Sequence, residues 1–502
     1  MRPPCGDAET EPAPRGDDAP PLTEGEAEEH AHGICFKTGP PSRVGVELEW
    51  LVCDGRDPAL PVDQQRVAAA LATLGEPGAL PGRGRLTTEP GGQVELSSAP
   101  ASGLAGCVLA AGRDLAAVRQ AIEPAGLSLA GHGLDPIRPP RRVLDLPRYA
   151  AMEEFFDRRG PWGRVMMCST ASVQVCVDAG LEHDGLSGFR WRWRLLHAIG
   201  PVLVSAFANS PLRSGRPSGW KSTRQAVWFR LDPSRTRPPA YAEPTVGAGP
   251  RHDAEMADPR AEWASYVLDA EVMVVRRPGS PTWTAPSGLT FRDWVRGGAG
   301  ERRPTAEDLT YHMSTLFPPV RPRGHMELRM IDAQPGDGWV VPAAVVYALT
   351  DDPVAAEAAM AAAEPVWHQS LSSAPAGPEG QDAAPGRSAG QRAAVTPWLR
   401  AARLGPADPV LARAGLEFFA AADAALGRLA APPQIRDAVA EFAERYVTRG
   451  RCPADDVLDA LGGSHEPTAD SPAHHAATMT PQPAPGMAAP SMAAPNMAVE
   501  DH

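Results

Sequence analysis

Four short segments, far apart in the chain, alternate apolar and polar residues with a period of two. They are 43–52 (RVGVELEWLV), 93–97 (QVELS), 171–178 (ASVQVCVD) and 325–331 (HMELRMI). Successive side chains of a strand point to opposite faces, so this period predicts half-buried β-strands. In the first, Val44, Val46, Leu48 and Trp50 share one face, while Glu47 and Glu49 share the other. In the second, Val94 and Leu96 oppose Gln93, Glu95 and Ser97. In the third, Val173, Val175 and Val177 oppose Ser172, Gln174 and Cys176; in the fourth, Met326, Leu328 and Met330 oppose Glu327 and Arg329. If these strands share one sheet, its apolar face closes a core and its other face is rich in carboxylates.

Helical periodicity covers 102–122, 190–208, 340–361, 408–430 and 433–448, and Asn209, Ser210 and Pro211 end the second of these. Strands mixed irregularly with helices, without regular βαβ spacing, predict an α+β fold with a largely antiparallel sheet. The 502 residues are 43% hydrophobic, which supports a real core. With 48 Gly and 56 Pro, long loops and tails should interrupt it. Residues 1–38 read as a disordered acidic tail and 456–502, ending PQPAPGMAAPSMAAPNMAVEDH, as a low-complexity tail. Its His465, His474, His475 and His502 read as solvated. Residues 39–455 are then the folded unit, with a flexible surface loop at 371–395.

The net charge of −13 is concentrated at the start, where residues 1–33 hold nine Asp/Glu against two Arg. No basic stripe is present, which argues against nucleic acid as a partner. The seven cysteines include no Cys-x-x-Cys pair, so neither a disulfide framework nor a thiolate zinc site is expected. The N-terminus lacks the pattern of a secretory signal and no apolar run is long enough for a membrane span. The cytoplasm is the compartment that these features suggest.

On the shared polar face, Glu47, Glu49, Glu95 and Glu327 would gather, with Glu89 at the turn before Pro90-Gly91-Gly92. Five carboxylates in one cleft repel unless cations neutralise them. An all-oxygen acidic site suits Mg²⁺ or Mn²⁺, and Mg²⁺ is commonly shared with substrate phosphates. A solvated amphipathic sheet is the plain alternative for the Glu47/Glu49 pair by itself. Residues 209–230 (NSPLRSGRPSGWKSTRQAVWFR) add Arg213, Arg216, Lys221, Arg224 and Arg230 on a Gly/Pro/Ser-rich loop, a setting suited to an anionic substrate. No Walker-type loop occurs, so any ATP would bind without one.

Taken in order, GVELEW (45–50), TTEPGGQVELSSAP (87–100), MMCSTASVQVCVD (166–178), FANSPLRSGRPSGWKSTR (207–224) and HMELRMIDAQP (325–335) resemble the glutamate–cysteine ligases. The similarity is to the branch with plant enzymes and the actinobacterial enzymes that start ergothioneine biosynthesis, and it spans about 40–450. The resemblance implies a curved antiparallel sheet forming a funnel, flanked by helices, with glutamine-synthetase-like chemistry. It implies Mg²⁺ ligands at Glu47, Glu49, Glu89, Glu95, Glu327 and Gln174. It places Arg224 on the α-carboxylate of glutamate and Arg329 on the transferring phosphate, with Glu327 beside it. Trp220, Lys221, Thr170 and Ser172 line the pocket in this reading.

The implied reaction joins L-glutamate to L-cysteine at the expense of ATP, through an acyl phosphate. It needs no cysteine or serine nucleophile. Cys168 and Cys176 then read as small buried hydrophobes, and His132, His197 and His312 as structural residues. His325 faces with Glu327 by alternation and is a minor pocket candidate. A sibling ligase that uses another amine would carry the same cleft, and a silent nucleotide- and metal-binding scaffold is the alternative from a different class.

Overall fold

The alternating segments come together in one sheet. The computed structural model describes residues 20–239, 258–277, 279–298, 301–368 and 396–463. Its strands are β1 (Arg43–Asp54), β2 (Arg85–Thr88), β3 (Val94–Ser97), β4 (Ala101–Ser102), β5 (Leu127–Ala130), β6 (Ser172–Asp178), β7 (Leu212–Arg213), β8 (Arg216–Pro217), β9 (Val320–Pro322) and β10 (His325–Asp332). Eight of them form an open sheet in the order β2-β3-β1-β6-β10-β9, with β4 and β5 paired to β1 off that path. Every pairing is antiparallel. β7 and β8 form a separate hairpin.

Register follows the apolar pattern. Leu48 lies opposite Leu96 on one side and Val173 on the other, and Leu328 lies opposite Val175. All five are buried, each contributing roughly 1.5–3 kcal/mol as an upper figure. A one-residue slip would put the glutamates into this core, so the pattern fixes the register. The helices Leu104–Ile122, Phe189–Ala206 and Val340–Asp351 pack against strands of the sheet. A second apolar cluster contains Phe155, Phe156, Met166, Met167, Val227 and Trp283. Its helix Trp162–Ser169 is tied to the β2–β3 turn by Gln93, whose side chain donates to the Thr170 carbonyl at 2.9 Å. Gly91 is required in that turn, because a Cβ there would lie 2.2 Å from the Cys168 carbonyl oxygen.

The structure corrects several expectations. Residues 24–35, inside the segment expected to be a disordered tail, form the helix Glu24–Cys35, started by a Thr23/Glu26 capping box. Ala27, Ala31 and Cys35 are buried, and Glu24 and Glu28 pair with Arg292. Alanine and cysteine are small enough to pack a helix closely, which composition had hidden under the acidic count. At the other end, the helix Pro453–Gly463 runs past the expected boundary at 455. The 340–361 periodicity is two helices, Val340–Asp351 and Pro353–His368, because Asp352 turns extended ahead of Pro353. The basic segment 209–230 is not one loop: it holds the β7–β8 hairpin and the helix Thr223–Trp228. The 371–395 loop and the four tail histidines lie outside the described residues.

Candidate active site

The polar face of the sheet collects the acidic residues laterally. Thr87 and Glu49 both lie opposite Glu95, Glu47 opposite Gln174, and Glu327 opposite Cys176 and Arg321. Glu89, in the β2–β3 turn, lies within electrostatic reach of Glu95 and Glu49. Five carboxyls supplied by β1, β3, β10 and one turn therefore share one wall. Gln174 bridges it: its amide donates to Glu49 Oε1 at 2.9 Å, and its carbonyl accepts from Arg329 Nη1 at 2.5 Å.

Positive charge is unevenly distributed along this wall. Glu327 is fully buried, and burial alone would raise its carboxyl. The guanidiniums of Arg321, Arg329 and Arg323 outweigh that and hold it well below the usual range. Arg321 binds both oxygens of Glu327, at 2.7 and 3.1 Å, and Arg329 donates to it at 2.8 Å. The other end is poor in cations. Burial and the charges of Glu327 and Glu95 push Glu47 well above the usual range. Burial with Glu95 and Glu49 does the same to Glu89, and burial with Glu49 pushes Glu95 up to about 7. These three keep partial solvent contact while lying deep in the fold, as groups lining a concave site do.

Among the described residues, no three His, Cys, Asp or Glu side chains close into a ready ligand shell. The donor set still fits a hard divalent cation: it offers carboxylate oxygens, and burial with mutual repulsion holds three of the carboxyls toward the neutral form, a strain that a bound cation would relieve. Cys176 faces the same wall, where burial and then Glu47 and Glu327 keep its thiol protonated.

Beside the wall stands Arg224, on the helix Thr223–Trp228, whose N-cap is Ser222. Its Nη2 donates to the Arg329 carbonyl at 2.8 Å, while Nε and Nη1 are buried with no hydrogen-bond partner among the described residues. Arg224 lies 5.8 Å from the Trp228 ring and Arg329 5.9 Å from the Phe317 ring, and the two rings meet edge to face. Ser172 Oγ is also buried and unpartnered. An arginine with two vacant buried donors suits a carboxylate ligand.

Other predicted pocket residues are engaged elsewhere. The Lys221 ammonium pairs with Asp455 on the helix Pro453–Gly463. Trp220 packs against Arg230, 5.7 Å from its ring. The Thr170 hydroxyl donates to the Met166 carbonyl at 2.6 Å, closing the end of a helix. His197 and His312 are buried beside backbone carbonyls, and burial lowers both, to about 4 and about 3. Two participants escaped the sequence reading. Arg321 could be found only by recognising that 320–322 and 325–332 form a hairpin. Asp332 sits next to Asn209, Ser210 and Ser222, for reasons of strand phase given below.

A family model described as glutamate-cysteine ligase family 2 (GCS2) matches residues 43–477. Glutamate–cysteine ligase EgtA of Mycobacterium tuberculosis is 38% identical over 438 residues, covering 86% of this chain and 89% of that protein. EgtA of Mycolicibacterium smegmatis is 37% identical over 438 residues, with 86% and 90% coverage. A chloroplastic glutamate–cysteine ligase of Brassica juncea is 31% identical over 261 residues, 51% of this chain and 47% of that one. The mycobacterial similarity extends over most of both chains and is not confined to the acidic strands, and on that breadth the chain belongs to glutamate-cysteine ligase family 2.

Proposed function

We propose that this enzyme couples the γ-carboxylate of L-glutamate to the amine of L-cysteine, converting ATP to ADP and phosphate and releasing γ-glutamylcysteine. The pathway served is ergothioneine biosynthesis, by likeness to the mycobacterial relatives named EgtA. The observation that carries the reading is the juxtaposition of a wall of mutually repelling carboxyls with Arg224, whose Nε and Nη1 are buried and await an acidic partner. The six described cysteines are free thiols, in keeping with a reducing cytoplasm. No helix of the described residues is long and apolar enough to cross a membrane.

A carboxylate does not acylate an amine at a useful rate. An oxygen of the γ-carboxylate first attacks the terminal phosphorus of ATP, and ADP departs. The cysteine amine then attacks the acyl carbon, the C–O bond to phosphate breaks, and the nitrogen loses its proton. Placement and charge neutralisation account for most of such catalysis. In this reading Arg224 grips the α-carboxylate, with Ser172 beside it. Arg329 reaches the transferring phosphoryl group, steadied by Glu327 and Gln174. Glu47, Glu49, Glu89, Glu95 and Glu327, with Gln174, would hold Mg²⁺ or Mn²⁺. When bound, the metal would supply the positive charge that offsets these carboxylates and draws in phosphate oxygens. The low-pKa thiolate that nucleophilic catalysis requires is missing at Cys176, and the route has no use for one.

The test is ADP release by purified protein with Mg-ATP and glutamate, with and without cysteine, against a panel of other amines. Cysteine-dependent release with γ-glutamylcysteine as product is expected. Preference for another amine would make the chain a sibling ligase, and no release with any amine would reject the reaction.

A further inference from the structure

We propose that Asp332 is a positioning residue for glutamate recognition: it confines Arg224 electrostatically while leaving two of its N–H groups available to the substrate carboxylate. The proposal rests on the assignment of Arg224 above and adds the device that makes that arginine usable.

The first observation is a break in strand phase. β10 and β6 run in register at Glu327–Cys176 and Leu328–Val175, then shift, so that Ile331 pairs with Val173 and Asp332 with Ser172. One extra residue in β10 is a β-bulge. Before it, odd-numbered residues face the acidic side; after it, Ile331 turns to the apolar side. Asp332 therefore comes onto the polar face, although strict alternation assigns it to the core.

The second observation is how the Asp332 carboxylate is occupied. Oδ2 accepts the Asn209 backbone N–H at 2.9 Å and the Ser210 hydroxyl at 2.7 Å, and Oδ1 accepts the Ser222 hydroxyl at 3.0 Å. Arg224 Nη1 stands 3.9 Å from Oδ1, within Coulombic range but beyond hydrogen-bond length. Side chains of Arg224 and Asp332 are only 3% and 1% exposed. A bare aspartate at this depth would take the guanidinium in a bidentate bond and quench it. Three neutral donors prevent that, and Arg224 Nε and Nη1 stay buried and unpartnered.

The same donors also fix the arginine's backbone. Ser210 Oγ accepts the Arg224 N–H at 3.1 Å, and Ser222 caps the helix by accepting from Gln225 at 3.2 Å. A counter-charge, a backbone anchor and two vacant donors thus meet around one guanidinium. Without Asp332, Arg224 would be a buried cation whose remaining carboxylate neighbour is Glu49, and it would lean toward the wall.

The test uses the full chain, with L-glutamate as the varied substrate. Asp332→Asn keeps the shape, removes the charge and should raise the KM for glutamate by about 10-fold or more, while the KM for cysteine and ATP stays within about twofold. In an Arg224→Ala background the same Asn substitution should change the glutamate KM by less than about twofold, because its target is gone. Should Asp332→Asn fail to fold, Ser210→Ala removes one bond to the carboxylate and the anchor of the Arg224 N–H. It should raise the same KM about threefold, again only when Arg224 is present. An unchanged glutamate KM, or equal effects in both backgrounds, overturns the positioning role. If Arg224→Ala itself leaves the glutamate KM unchanged, the glutamate site is misassigned and the proposal falls with it. If Arg224→Ala raises the KM and Asp332→Asn does not, the site stands and only the positioning role is lost.

Discussion

Replacing Arg321 by Met tests the electrostatics of the site without touching any group assigned to substrate. Glu327 is fully buried, and Arg321 meets both of its oxygens while being only 6% exposed itself. Removing one member of a buried ion pair typically costs about 3–5 kcal/mol, because the remaining charge keeps its desolvation penalty. Arg329 still donates to Glu327 at 2.8 Å, which argues for the lower end, about 3 kcal/mol. With unfolding entropy near 2.1 cal/mol/K per residue and roughly 400 ordered residues, that is a Tm lower by about 4 °C. The pH dependence is diagnostic. The Glu327 carboxyl is held well below its usual range, so its pairing stabilises the fold above the unfolded value of about 4.3 and ceases to do so as pH falls toward the folded value. The deficit of Arg321→Met should therefore be complete near neutral pH and shrink in acid. Thermal melts of both proteins in a chelating buffer, from about pH 2.5 to pH 8, read this out. A deficit below about 1 kcal/mol at neutral pH, or one that grows in acid, would refute the buried-pair reasoning.

Three further outcomes are expected. Burial and its acidic neighbours raise Glu47, so the folded state prefers the neutral acid and stability is lost as pH rises from about 4.3 toward the folded value. Glu47→Gln should thus raise Tm in chelator at pH 8 and not near pH 4, abolish turnover, and weaken the stabilisation of the protein by added Mg²⁺; equal Mg²⁺ stabilisation in both proteins would remove Glu47 from the metal site. Lys221→Ala should lose the half-buried pair with Asp455, about 0.5–1 kcal/mol in urea titration, with the glutamate KM unchanged, and a tenfold rise in that KM would return Lys221 to the pocket. Deletion of 1–33 should lower Tm measurably, since it removes buried Ala27 and Ala31 and the Glu24 and Glu28 partners of Arg292, and an unchanged melt would mean that this helix contributes nothing.

Which residues could be recognised in advance depends on the length scale of the signal. Glu47, Glu49, Glu95, Glu327 and Gln174 were legible because one local rule, alternation, places each of them relative to the apolar residues beside it. Glu89 was legible through its Pro-Gly-Gly turn. The helix Glu24–Cys35 was not, because an excess of acid and proline nearby masks a small-residue face that only its packing partner reveals. Lys221 lay within a motif, yet motif membership does not say where a long flexible side chain will find its counter-charge.

The sequence by itself determined which side chains share a face within each strand, because the geometry of extended backbone enforces a period of two whatever surrounds it. Only the tertiary structure decided how those faces combine. The β9–β10 hairpin brings Arg321 onto Glu327, and a single bulge reverses the phase of β10 and turns Asp332 from the core toward Arg224. A bulge is a compromise among pairing, packing and buried charge across several strands, and no window of local sequence contains all of those terms.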